Sequence, residues 1–348
     1  MNLNHLFVAF LATLFLGFTA DPANAQYDDP GKYMTEMGSF YENLEKKQWE
    51  YTNAVARGKN AKKVDSKRGE LLNSILEANR LVRRMPPYEE DASLRDSVSK
   101  FLLVKYAVLN EDYEKIIDLE AVAEQSYDLM EAYLLAQEEA NNKLRETGAK
   151  MVDAQTAFAE THNVELLESE DSETGKKLDL AAKVFEQYNG LFLVYFKCYK
   201  QDLYLNDAIQ EGNINAMEQN ANALRSYVRE GKKKAQEFSN YKGDRSLATA
   251  TTNILDFYQK TCDEDFPKIR DFFQKKDHFE QVQRAFEGKK ESDRTQSDVD
   301  QFNDAAQAYN DGVGVYNEIN NRVYEERNEQ IETWYEVAQR FLDRNVPK

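Results

Sequence analysis

Apolar residues recur every three or four positions along most of this chain, the spacing of one buried stripe on a helix. Met34, Met37, Tyr41, Leu44, Tyr51 and Val55 trace the first stripe and predict a helix over 33–58. Leu71, Leu72, Ile75, Leu76, Leu81 and Val82 predict a second over 66–85. Pro86-Pro87 must end it, because proline donates no backbone hydrogen bond and pushes the preceding residue out of helical geometry. Asp91 and Ser93 are suited to cap a third helix over 93–110, and a fourth runs over about 119–162. The stretch 164–177 is crowded with Glu165, Glu168, Glu170, Asp171 and Glu173 and contains Gly175, and it reads as a loop. The helical pattern then restarts over 178–211, 213–238, 246–262, 264–287 and 298–344.

The restart is a repetition. Sliding the chain by 153 positions lays 88–118 on 241–271 with ten of 31 residues identical, where ordinary composition gives about two. Tyr88, Asp91, Ser93 and Leu94 fall on Tyr241, Asp244, Ser246 and Leu247. Glu111, Asp112, Lys115 and Ile116 fall on Glu264, Asp265, Lys268 and Ile269. Two unrelated amphipathic helices would share apolar positions, but not a Glu-Asp and a Lys-Ile at one helix break. The expected fold is therefore all-α: two tandem, duplicated up-and-down bundles of about four helices each. Residues 26–163 form the first, 164–177 an acidic linker and 178–348 the second.

Composition narrows the function classes. With 45 basic and 62 acidic residues the formal net charge is −17, which argues against nucleic acid, whose phosphates call for a basic face. The stretch 6–20 holds no charge, and Ala23-Asn24-Ala25 follows it as a small-x-small cleavage site, so 1–25 reads as a signal peptide. No later run is long and apolar enough to span a bilayer. The mature chain is thus expected to be exported, without a transmembrane segment.

Candidate chemistry is sparse. No Gly-rich phosphate loop, nucleophile elbow or His-Glu-x-x-His string occurs, so no catalytic residue and no cofactor is assigned. The matched Glu-Asp strings have two readings: carboxylate ligands for a hard cation, or acids that complement a helix start while the following aromatic plugs the bundle end. Cys198 and Cys262 are the only thiols, and an even pair in an exported chain points to one disulfide; two buried thiols are the other reading. The aromatics, among them Tyr195, Tyr199, Tyr204, Tyr309, Tyr316 and Trp334, read as core or as a partner-binding stripe. The last helix carries Asn320, Arg327 and Gln330 within its apolar trace, a device that fixes register or marks where a helix leaves its bundle.

Two resemblances bear on function. Tyr27-Asp28-Asp29-Pro30, followed by the string from Met34 to Tyr41, resembles a family of exported surface proteins of spirochaetes and Bacteroidetes. That resemblance implies an envelope or surface location and no known reaction. His162-Asn163-Val164-Glu165 resembles the Gly-x-His-x-x-Glu motif of imelysin-like proteins, exported duplicated helical bundles implicated in iron uptake. It implies His162 and Glu165 as metal ligands in a metal or haem uptake component, although Glu160 stands where that motif has glycine. The reading that absorbs most of the sequence is a non-enzymatic binding or scaffolding protein of the bacterial envelope or surface, with a protein or envelope partner.

Overall fold

The computed structural model describes residues 27–57, 61–112, 126–166 and 172–348. The expected signal peptide over 1–25, the expected helix start near Leu119 and residues 167–171 of the expected acidic linker lie outside them. The described residues are helical, joined by short turns and without a β-strand. They divide into two compact units, one of 1–189 with 339–348 and one of 190–338.

The first unit is an up-and-down bundle. Helix α1 (Pro30–Ala56) starts where the Asp29 carboxylate accepts the Lys32 N–H at 3.0 Å, with proline in the first turn. It packs on α2 (Ala61–Arg84), α2 on α3 (Ser93–Ala107), and α3 on α4 (Tyr127–Thr161). The bundle closes through α1 and α4 running antiparallel. Tyr33 stacks on Phe158 at 5.6 Å, and two turns further along α1 the Tyr41 hydroxyl meets Met151 Sδ at 3.3 Å. Arg57 holds the chain's last residues against this unit, donating to the carbonyls of Asp343, Val346 and Pro347.

Helix α5 (Glu173–Glu211) begins earlier than its apolar pattern suggested. Gly175 does not break it, because the Ser172 hydroxyl accepts the Gly175 N–H at 2.9 Å and caps the first turn. At its other end Gly212 takes φ +70°, and the Asn213 N–H bonds the Ala208 carbonyl, a left-handed termination. The second unit then comprises α5 from Gly190, α6 (Ile214–Ala235), α7 (Ser246–Lys260), α8 (Phe266–Glu287) and α9 (Gln296–Asn345) as far as Ala338. Its centre is aromatic: Trp334 stacks on Tyr195 at 4.4 Å, and its Nε1–H donates to Thr251 Oγ1 at 3.0 Å.

The 153-residue repeat is carried into the backbone. Helices α3 and α7 are both 15 residues long and begin at matching positions. Each runs directly into a five-residue π-helical turn, Val108–Asp112 in the first copy and Thr261–Asp265 in the second. Pro267 follows the second turn, but Glu114 stands at its match, so the π turn does not depend on proline. The break expected between 262 and 264 is this turn. Each copy also has a two-residue hairpin ahead of the 15-residue helix, bridging Tyr88 to Asp91 and Tyr241 to Asp244. The aspartate then accepts the N–H of the serine two residues on, at 2.8 and 2.9 Å.

The hairpins differ in strain. Both central residues take positive φ, Glu89 (+47°) and Glu90 (+71°) in one copy, Lys242 (+49°) and Gly243 (+93°) in the other. Such turns favour glycine, which has no Cβ to clash. Glu90→Gly, which reproduces the second copy's solution, should therefore stabilise the chain by about 1 kcal/mol. Urea unfolding checks this; an unchanged or lowered midpoint would mean that Glu90 contributes more through contacts than it costs in backbone strain.

Candidate functional site

His162 is the C-cap of α4 and packs on Tyr88 and Phe158, with ring centroids at 4.9 and 4.4 Å. Its Nε2 faces Asp91 Oδ2 at 3.3 Å and its Nδ1 faces Glu89 Oε2 at 3.6 Å. The two carboxylates sit on opposite ring nitrogens, so they cannot share one ion through this histidine. Glu165 is exposed in the turn beyond the helix. The structure thus brings His162 to the strained first-copy hairpin, and ties it to Glu89 and Asp91. Among the described residues no cluster of three or more His, Cys, Asp or Glu has the arrangement to hold a metal.

Cys198 and Cys262 are both buried free thiols in the second unit, so the expected bridge is not formed in this structure. The Cys262 thiol lies 3.8 Å from the Ala221 carbonyl. Burial pushes each thiol up to about 12, which keeps both protonated and unreactive near neutral pH.

Around them lies a buried polar layer. Asp202, fully buried on α5, receives Arg327 of α9 at 2.6 and 3.2 Å through both carboxylate oxygens. Asp265, in the π turn, receives Arg322 of α9 at 2.6 Å. Beside this layer Asp263, exposed in the same turn, receives Arg225 Nε at 3.0 Å. The second-copy Glu-Asp string therefore anchors neighbouring helices. Residues 113–118 of the first copy lie outside the described residues. Sequence reasoning noted Arg327 in the α9 trace but not its partner. The signal was Asp202 within the apolar run of α5.

A second buried charge was missed. Lys105 on α3 is 3% exposed, and its ammonium donates to Gln48 Oε1 at 2.5 Å. Burial lowers it to about 8, with Glu45 acting in the opposite sense. Its position among Phe101, Leu102 and Leu109, spaced three or four apart, was the available signal.

The feature best placed to meet another molecule is the hairpin of α8 and α9. Phe272, Phe279 and Phe286 are spaced by seven on α8, and Tyr316, Tyr309 and Phe302 by seven on α9. They stack across the hairpin as three rungs at 4.6, 5.4 and 4.9 Å. Heptad spacing on antiparallel helices aligns such rungs on one seam. Phe272 is buried at the base, yet across 274–311 only Ala305 is buried, and Phe279, Phe286, Phe302 and Tyr309 stay half-exposed. At the base a cleft of about 390 Å³ opens between the two helices, lined by Lys268, Asp271, Lys275, Asp311 and Val315. Tyr309 and Tyr316 were marked from sequence as core or partner stripe, whereas the phenylalanine half of the ladder was overlooked.

No helix of the described residues is long and apolar enough to cross a membrane. No protein-family model, curated protein or solved structure matches this chain.

Proposed function

We propose that this chain is an exported, non-enzymatic binding or scaffolding protein of the bacterial envelope or surface, and that it docks its partner through the α8–α9 hairpin. The observation that carries the reading is the half-exposed aromatic ladder on a two-helix projection. Two helices enclose an apolar seam on two sides only, and stacked rings left half-wet gain when a partner covers them. Aromatic residues with polar surroundings are also the side chains that dominate binding energy at interfaces. The buried carboxylates of the same unit are engaged in holding helices together, which suits a rigid presenter of a surface. Export rests on the uncharged stretch 6–20 and the Ala23-Asn24-Ala25 site.

Photo-crosslinking in the native host tests this. A photoreactive residue placed at Ala308 or Val315, beside the ladder, should give a discrete adduct. The same residue at Arg229, exposed on α6, should not. Equal labelling from all three positions, or none from the hairpin, would overturn docking at this site.

A further inference from the structure

We infer that the molecule which covers the hairpin is a second copy of this chain, packed hairpin against hairpin across a two-fold axis; the inference rests on the docking reading above. The argument is one of charge and shape. The two helices of the hairpin carry opposite charge. Across 296–316 α9 has Asp298, Asp300, Asp304 and Asp311 and no lysine or arginine. Across 266–295, α8 and its connection have eight lysines and arginines against six aspartates and glutamates. A surface with an acidic half and a net basic half is complementary to itself when rotated by two-fold symmetry, each half meeting its opposite.

The cleft shows this at the scale of side chains. Lys268, Lys275, Asp271 and Asp311 line one opening, so a two-fold copy presents aspartate where this one presents lysine. On the same flank of the ladder, heptad spacing places Val315, Ala308 and Gln301 along α9, with Asp311 and Asp304 between them. Val315 is 47% exposed, a large apolar side chain on an otherwise charged surface. Ala308 is small, as close approach of a second helix pair requires. Gly312 continues the small-residue character of α9 on its inward side, where an added Cβ would lie 3.1 Å from Phe272. Two hairpins brought together through this flank form a four-helix arrangement, which encloses the seam that two helices leave open. Lys275 of each copy then lies along the Asp304–Asp311 edge of the other. Within one chain Lys289 already reaches Asp298 at 2.6 Å, the same pairing of the basic and acidic halves.

Sedimentation equilibrium on the full chain tests the proposal, with far-UV circular dichroism confirming that every variant retains the wild-type helix content. The wild-type protein should sediment at twice the chain mass at micromolar concentration. Asp304→Lys with Asp311→Lys should sediment as a monomer, and so should Lys275→Glu with Lys276→Glu. An equimolar mixture of these two variants should recover the doubled mass, since reversal on opposite halves restores attraction between unlike copies. An Ala308→Cys chain under mild oxidant should form a dimer linked through residue 308, a readout that needs no charged substitution. A wild-type monomer throughout the concentration range would overturn the proposal, as would a dimer indifferent to both charge reversals. A monomer that still gives a discrete hairpin adduct in the host would leave docking standing with a different protein as partner. A monomer that gives no adduct would remove both.

Discussion

Arg327→Met should destabilise the chain by about 3–5 kcal/mol, the largest single effect expected anywhere in the molecule. Asp202 is fully buried, and Arg327 meets both of its carboxylate oxygens, at 2.6 and 3.2 Å. The pair adds little net stability over two apolar side chains, because desolvating both charges costs about what their attraction returns. Removing one partner is different, since it leaves the other charge buried without compensation. Burial raises the Asp202 carboxyl, and Arg327 is the group that pulls it back down. In the Arg327→Met chain that restraint is gone, so the folded carboxyl binds its proton more tightly than the unfolded one. The deficit should then shrink as pH falls and the carboxyl neutralises. Urea unfolding at neutral and mildly acidic pH reads both effects. Asp202→Leu combined with Arg327→Met should recover most of the loss, because the two positions face each other. Equal losses in the single and the double variant would show that the ion pair is not the source.

The same pair explains what the sequence could and could not convey. Arg327, Asn320 and Gln330 are visible as interruptions in the apolar trace of α9, and of these Arg327 meets the buried Asp202 of α5. Its partner lies 125 positions away, and no periodicity of α9 points to α5. The repeat was legible for a related reason: duplication preserves sequence at a fixed offset, and the hairpins, the 15-residue helices and the π turns all obey that offset. The π turns themselves were not legible. They continue a helix with one bond pattern altered, which leaves the 3–4 spacing nearly intact over five residues. The aromatic ladder was half legible because Tyr309 and Tyr316 sit in a long, regular trace, while Phe272, Phe279 and Phe286 alternate with Lys275, Lys276 and Arg284 and read as a polar helix. The cysteines show the limit of composition: an even pair in an exported chain suggests a bridge, but only placement shows that both are buried and free. His162 sits at a helix end, as its sequence position implied, while its ties to Glu89 and Asp91 depend on a hairpin 71 residues away.

These buried charges and the exposed ladder belong to one design. Polar groups inside the second unit fix which residues of α9 face α5 and the π turn. That register sets where Tyr316, Tyr309 and Phe302 emerge opposite α8. A slip of α9 by one turn would separate Arg327 from Asp202 and misalign the three rungs together. The polar layer thus gives the projecting hairpin a defined seam, which an all-apolar contact would specify less sharply.

In the first unit a buried charge bonded to a neutral amide produces the opposite pH response. Lys105 is 3% exposed, and its ammonium donates to the neutral amide oxygen of Gln48. Burial lowers its pKa from 10.5 to about 8. Between those values the unfolded chain binds more protons than the folded one, so stability should rise with pH from 8 to 10.5 and level off above. Below the folded value the ammonium is charged in both states, and keeping it buried costs about 3 kcal/mol. Lys105→Met should therefore stabilise the protein at pH 7, although Gln48 then loses its bond at a cost of about 1 kcal/mol. The net gain near neutrality is about 2 kcal/mol, and it should disappear and then reverse as pH rises through the window. Urea unfolding of wild type and variant at neutral and alkaline pH measures the difference directly. A difference constant with pH would mean that Lys105 reaches water in the folded chain, and a loss at neutral pH would mean that its bond to Gln48 outweighs the desolvation of its charge.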